Sequence, residues 1–180
     1  QTPLPFGQSR AAQVIPYSDG LDSFAQVKLS VQEHGRDAVL LVRAGLAKDK
    51  VFPHLMSLRV LRQFQGIRLR EVSYRTRPLI FFTFSAIAAH LVGADAVVIG
   101  ENGQGSFGAA CLPFADEWWF RSTHPAFVVK WANVLSRILG KVIRFEQPNL
   151  WKTKGQVLTE LRDKNLTDGW DATSSCSTRP

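Results

Sequence analysis

The stretch Val14-Ile15-Pro16-Tyr17-Ser18-Asp19-Gly20-Leu21-Asp22-Ser23 decides the fold of this 180-residue chain. A short apolar run ends at Ser18, a polar turn with a glycine follows, and Asp22-Ser23 opens an amphipathic segment. This order predicts a strand, a tight turn and a helix. Such a turn directs backbone N–H groups and the positive end of a helix dipole towards one point, which favours an anion. The alternative is an ordinary strand-to-helix turn with Asp22 as the helix N-cap.

Composition limits the class of protein. A chain of 180 residues is most simply one domain with a sizeable core, and its apolar content of 45% is that of a globular protein. The net charge of +7 fits a polyphosphate ligand or RNA, and it also fits mere solubility. No apolar run is long enough for a membrane span. The two cysteines, Cys111 and Cys176, are too few for a disulfide framework, so a cytoplasmic location is expected.

Strands and helices are predicted to alternate along the chain. Residues 1–12 form a lead-in, residues 13–163 a single α/β domain, and residues 164–180 a polar tail. The predicted strands cover 13–18, 37–43, 67–73, 94–100 and 141–147; the predicted helices cover 22–34, 51–65, 76–93, 125–139 and 154–163. Residues 101–117 are expected to form a long glycine-rich loop. This alternation predicts an open, mostly parallel five-stranded sheet with helices on both faces. Pro16 is unusual for a central strand, because it removes a backbone donor.

Polar residues follow the predicted strands at the edge where such folds bind ligands, the carboxyl ends of the strands. Several of these segments form a set. The turn Ser18-Asp19-Gly20-Leu21-Asp22-Ser23 resembles the Ser-Gly-Gly-Xaa-Asp-Ser signature of the PP-loop ATP pyrophosphatases, with Asp19 in place of the first glycine. Five further segments follow in order: Tyr74-Arg75-Thr76-Arg77, Gly100-Glu101-Asn102-Gly103, Arg121-Ser122-Thr123-His124-Pro125, Trp151 to Leu158, and Thr173-Ser174-Ser175-Cys176-Ser177. Together they resemble the 7-cyano-7-deazaguanine synthase-like (QueC-like) family, in its divergent branch associated with bacterial defence clusters.

The resemblance implies an adenine nucleotide alpha hydrolase-like, Rossmann-like fold and an ATP-dependent adenylating enzyme that uses Mg²⁺. A substrate carboxylate or amide would be activated for transfer to an amine or ammonia. The substrate could be a small molecule, a protein or a nucleic acid. The implied ATP-binding residues are Ser18, Asp19, Gly20, Leu21, Asp22, Ser23, Arg43 and Ala44. The implied catalytic residues are Asp22, Ser23, Glu101 and Lys154, with Lys152 as a second cation. The implied substrate contacts are Arg75, Arg77, Asn102, Arg121 and His124.

Two departures from the family pattern stand out. Asp19 places a carboxylate beside the expected phosphates, where like charges about 4 Å apart repel by about 1 kcal/mol even in water. The family also carries a four-cysteine zinc site near its C-terminus, whereas here Cys176 is followed only by residues 177–180. We therefore expect no metal site in this chain. The tail is expected to be truncated before the zinc-binding segment, so Zn²⁺ would bind only if further cysteines follow.

Two other functions stay open. A PP-loop tRNA-modifying enzyme of the sulfurtransferase type needs a reactive cysteine, and Cys111 is the better-placed one. A nucleotide-binding module without catalysis is favoured by Asp19. The aromatic run Trp118-Trp119-Phe120 is either loop material or a homodimer contact.

Overall fold

The strand before the polar turn lies at the centre of a five-stranded parallel sheet. The computed structural model describes residues 12–44, 51–60, 77–107 and 123–173. The strands are β1 (Gln13–Tyr17), β2 (Val39–Ala44), β3 (Ser57–Val60), β4 (Ala96–Val98) and β5 (Phe145–Glu146), in the order β3-β2-β1-β4-β5. The helices are α1 (Leu21–His34), α2 (Arg77–Val92), α3 (Gly103–Phe107), α4 (Pro125–Leu139) and α5 (Lys154–Asp163), with 3₁₀ turns at Arg36–Ala38 and Trp170–Ala172. All strand pairs are parallel, so the predicted open, Rossmann-like α/β fold is confirmed.

Alternation along the strands divides the core between the two faces of the sheet. Side chains of successive strand residues point to opposite faces. Val14 of β1, with Leu40 and Val42 of β2, packs in one cluster with residues of α2 and α4. Ile15 and Leu41, their neighbours along the strands, pack in the other cluster with residues of α1 and α5. Helices therefore cover both faces, as the sequence predicts.

The helix predicted over residues 51–65 is wrong for the part that the structure describes. Ser57–Val60 instead forms the edge strand β3, which pairs with β2. Leu58 and Val60 are half-buried while Ser57 and Arg59 are exposed, which is the two-residue alternation of a strand. The three-residue spacing of leucines suggested a helical stripe and concealed this shorter alternation. Residues 61–65 and the strand predicted at 67–73 lie outside the described residues.

The pairing of β1 with β4 ends before Pro16. The strand β1 pairs with β2 over its whole length but with β4 only at Gln13 and Val14. Backbone groups of a strand alternate between its two neighbours, and Asp95 N donates to Ala12 O on the β4 side. By this alternation the amide of residue 16 would face β4, and proline has no N–H to donate. The ladder stops before Pro16, and the order of strands reverses between β1 and β4, which is where ligands bind in open α/β sheets.

The most apolar helix of the sequence, α2, is 16 residues long. No helix in the described ranges is long and apolar enough to cross a membrane.

Candidate functional site

The turn after β1 is closed by hydrogen bonds of its own residues. Ser23 Oγ donates to Gly20 O at 2.8 Å and accepts from Ser18 N at 3.3 Å. Asp19 has a φ of +62°, a left-handed conformation that glycine, asparagine and aspartate tolerate best. The aspartate thus occupies a conformation compatible with the glycine of the PP-loop signature.

Three residues, Ser18 to Gly20, connect the end of β1 to the first turn of α1. The helix begins at Leu21 with Gly20 as N-cap, and no described side chain caps it. The alternative of Asp22 as N-cap is therefore wrong, because Asp22 already lies within the first helical turn. Unsatisfied N–H groups and the helix dipole leave this end of α1 suited to an anion.

Two ion pairs hold the turn from opposite sides. On the β2 side, Arg43 Nη1 lies 3.1 Å from Asp19 Oδ1, and the Arg43 side chain is only 5% exposed. On the other side, Lys154 Nζ lies 3.0 Å from Asp22 Oδ2. Both cations implied as phosphate or nucleotide contacts are thus paired with carboxylates of the turn. The guanidinium of Arg43 also lies over the Tyr17 ring, 4.3 Å from its centroid.

The glycine-rich segment after β4 is partly helical, which corrects the prediction of a loop over residues 101–117. Residues 103–107 form α3, and the rest of that segment, 108–117, lies outside the described residues. Gly103 N donates to Lys152 O at 2.9 Å, and a Cβ at Gly103 would collide with the carbonyl of Leu150. Asn102 is buried and donates from Nδ2 to Asp22 Oδ1 at 2.6 Å. α3 thus joins the end of β4 to both α1 and the start of α5.

The Glu101 carboxyl has a raised pKa. Burial, and after it the charge of Asp22, raise this pKa from 4.5 to about 7 against the opposing effect of Lys154. The carboxylate oxygen lies against α3 at Gly105, where a Cβ would collide with it. A carboxyl that titrates near pH 7 beside a cation and a second carboxylate is able to accept or donate a proton during a reaction.

Replacing Glu101 with glutamine is expected to remove a pH dependence of stability. Because its pKa is higher in the folded state than its ordinary 4.5, the native protein becomes less stable as pH rises from 4.5 through 7. At pH 8 the variant should therefore be more stable than the wild type by about 3 kcal/mol, at about 1.4 kcal/mol per pKa unit, and equal to it at pH 4.

Urea unfolding at the two pH values measures this difference. Glu160→Gln serves as a control of opposite sign, because hydrogen bonds from Lys152 and Lys164 lower the pKa of Glu160. The ionised Glu160 side chain stabilises the protein above its ordinary pKa, and this stabilisation is lost as pH falls. Glu160→Gln should therefore be less stable than the wild type at pH 8. A pH-independent difference for Glu101→Gln would contradict the prediction.

The other predicted site residues lie apart from the turn or outside the description. His124 is the N-cap of α4, where its Nδ1 accepts from Ala126 N, and Arg77 begins α2 with its guanidinium over the Phe81 ring. Ala44 ends β2. Lys152 pairs with Glu160 at 2.6 Å and thus contacts α5 and not the turn. The residues that lie outside the described ranges are Arg75, Arg121, Cys111 and Cys176.

Sequence reasoning missed two features near the site. The rings of Trp151, Phe107 and His124 form a row, with centroids 5.4 and 5.7 Å apart, and Trp151 is 84% exposed. Gln104 Oε1 accepts from Lys154 N at 3.2 Å. Trp151 lies only three residues before Lys154, so the sequence already indicated that an aromatic ring lies near the predicted site. Nothing in the local sequence indicated the second.

The described residues hold no group of three or more His, Cys, Asp or Glu side chains placed to bind a metal ion. Mg²⁺ usually binds through one or two carboxylates together with substrate phosphates. Asp22, in the first turn of α1, is a single carboxylate of the kind that could take part in such a site. A search of protein-family models finds none that matches this chain, and none of the curated proteins matches it.

Proposed function

We propose that this protein is an ATP-dependent adenylating enzyme of the PP-loop type, with the turn Ser18 to Ser23 as the site of the pyrophosphate group. The observation that carries the proposal is the uncapped first turn of α1, which opens at the switch point of the sheet between Arg43 and Lys154. Backbone N–H groups, a helix dipole and two cations converge there, which is the arrangement that binds polyphosphates.

The proposed reaction has two steps. A carboxylate or amide oxygen of the substrate attacks the α-phosphorus of ATP, and the bond from that phosphorus to the pyrophosphate oxygen breaks. The activated carbonyl is then attacked by ammonia or an amine, which loses a proton as AMP leaves. Catalysis of such steps rests on positioning and on neutralising charge as it develops. Mg²⁺ would screen the phosphate oxygens from the acidic side chains.

The residues of the site suit separate parts of this reaction. Lys154 lies where its ammonium can turn from Asp22 to a phosphate oxygen, because its side chain is 43% exposed and extends from the start of α5. Glu101 is suited to take the proton from the attacking amine, since a carboxyl with a pKa of about 7 exchanges a proton readily near neutral pH. Ser23, whose hydroxyl bonds within the turn, keeps the turn in its shape.

The test is release of pyrophosphate from Mg·ATP by the purified protein, with candidate carboxylic acids and ammonium supplied. Release that depends on the acid supports the enzyme. Measurable ATP binding with no release for any acid supports a nucleotide-binding module instead. That second function is favoured by the two ion pairs, because cations held by aspartates leave less positive charge to offset the additional charge that develops in a transition state. A failure to bind ATP rules out both.

Replacing Asp19 with glycine is expected to tighten Mg·ATP binding about tenfold, because removing a carboxylate near the phosphates removes a repulsion of at least about 1 kcal/mol. Glycine also adopts the φ of +62° without strain. The same change leaves the buried Arg43 without this carboxylate, so the ligand-free variant should be less stable by about 1 to 3 kcal/mol.

Calorimetric titration with Mg·ATP and thermal unfolding measure the two effects. Asp19→Asn is the matched variant, since it removes the charge and keeps a residue that tolerates positive φ. Weaker binding in both variants would show that the carboxylate assists the nucleotide, through a metal ion or through Arg43.

A further inference from the structure

Asn102 follows β4 and is 2% exposed, and both of its polar side-chain atoms are engaged by the protein. Its Nδ2 donates to Asp22 Oδ1 at 2.6 Å. Its Oδ1 accepts from Gln104 N at 2.9 Å and from Gly105 N at 3.2 Å. These bonds occupy the amide oxygen and one of the two Nδ2 hydrogens, and a side chain that is 2% exposed offers little access to the remaining hydrogen. The role of substrate contact implied by the family resemblance is therefore a poor fit to this side chain.

We propose that Asn102 is a positioning residue, which orients the Asp22 carboxylate and, through it, the Lys154 ammonium at the phosphate end of the site. The proposal rests on the proposed function for its catalytic consequence. Its structural part, a chain of bonds from α3 to Lys154, holds whether or not the protein binds ATP.

Each of the two carboxylate oxygens of Asp22 has its own partner. Asn102 holds Oδ1, and the second oxygen, Oδ2, accepts from Lys154. Since a carboxylate is planar, fixing one oxygen fixes the direction that the other presents. Asn102 is itself fixed by two backbone amides of α3, so the direction of the Asp22–Lys154 pair is set by backbone groups. An exposed lysine would otherwise be free to sample many rotamers.

Hydrogen bonds also connect the backbone around Lys154 to α3. Lys154 N donates to Gln104 Oε1, and Gly103 N donates to Lys152 O two residues before it. Both members of the ion pair are therefore placed relative to α3: Asp22 through Asn102, and Lys154 through the start of α5. A change at Asn102 breaks the first connection and leaves the second intact.

The positioning role and a substrate contact differ in kinetics. If Asn102 positions Asp22 and Lys154, Asn102→Ala should weaken Mg·ATP binding about tenfold and lower kcat, since a hydrogen bond to a charged group is worth about that factor or more. The KM for the carboxylic acid should not change. A rise in that KM alone, with unchanged ATP binding, would overturn the proposal in favour of a substrate contact.

Asn149→Ala is the matched control for a merely structural role. Asn149 is a second buried asparagine, 0% exposed, and its amide donates to Gln26 Oε1, one helical turn after Asp22, and to Gly100 O, with no contact to the Asp22 carboxylate among the described residues. Both alanine variants should lose stability, but only Asn102→Ala should lose ATP affinity. Equal losses of ATP affinity in the two variants would contradict the proposal.

Asn102→Asp is a further test of the same contact. It puts a carboxylate against Asp22 and should weaken ATP binding at least as much as Asn102→Ala does.

A double-mutant cycle on the protein without ligand separates this inference from the proposed function. Unfolding by urea is measured for Asn102→Ala, Lys154→Met and the double variant. We expect the effects to be non-additive, because the two residues share Asp22 as a partner. If the two effects are non-additive but the wild-type protein does not bind ATP, the positioning role is retained and the proposed function is rejected. Additive effects, together with normal ATP binding by Asn102→Ala, would reject the positioning role alone.

Discussion

Lys154→Met should lower the rate of pyrophosphate release about 100-fold at saturating Mg·ATP. The ammonium is the exposed cation at the turn, and removing one preorganised group that stabilises transition-state charge typically costs about 100- to 1,000-fold. The Lys154–Asp22 pair is partly exposed, so its loss should change the free energy of unfolding by no more than about 1 kcal/mol. A large effect on rate with a small effect on stability is the expected signature.

Lys152→Met is the control, because it removes a cation two residues before Lys154, just outside α5. Lys152 contacts Glu160 and not the turn, so pyrophosphate release should stay within about threefold of the wild type. A Lys154→Met variant with wild-type turnover would eliminate this lysine from the mechanism. Equal losses in both variants would indicate that only the general positive charge of the loop matters.

Gly100→Ala should destabilise the protein by about 3 kcal/mol, because it inserts a methyl group into a contact between backbones. A Cβ at Gly100 would lie 2.6 Å from Asp22 O and 2.8 Å from Gln26 Cβ. The first turn of α1 and the end of β4 would have to separate to admit it. That separation should also lengthen the contact from Asn102 to Asp22, so ATP affinity should fall as well.

Thermal and urea unfolding measure this loss, and Gly155→Ala is the comparison. The nearest atom to a Cβ at Gly155 is Thr153 Oγ1 at 3.9 Å, which is ordinary contact. Gly155 lies in α5, where alanine should raise stability by up to about 1 kcal/mol. A Gly100→Ala protein as stable as the wild type would show that α1 and β4 can separate at little cost.

The elements with clear end signals could be predicted from the sequence to the residue. α4 begins at Pro125, where proline is favoured in the first turn, and is followed by Gly140 with a left-handed φ of +65°. α5 begins after Thr153, which forms a capping box with Gln156. β3 lacks such signals. It is four residues long, and its pairing with β2 is a tertiary contact that local sequence does not encode.

The sequence could predict that residues after the strands lie at one edge of the sheet, but it could not predict which of them contact each other. The rule that ligands bind at the carboxyl ends of parallel strands indicated the edge where Asp22, Asn102 and Lys154 do meet. The pairing of Arg43 with Asp19 was not foreseen, because it depends on the left-handed turn that aims the carboxylate. The same limit applies to Asn102, whose interactions depend on a short helix in a segment interpreted as a loop.

Pro16 has a consequence for the energetics of ligand binding. A sheet whose strands paired along their full length would have to be pulled apart before a ligand could enter between them. Here the missing amide of Pro16 leaves β1 and β4 unpaired beyond Val14 before any ligand arrives. Under the proposed function, ATP entering this gap would consume no interaction energy in parting the strands. A central-strand proline, which weakens the sheet locally, would then favour affinity.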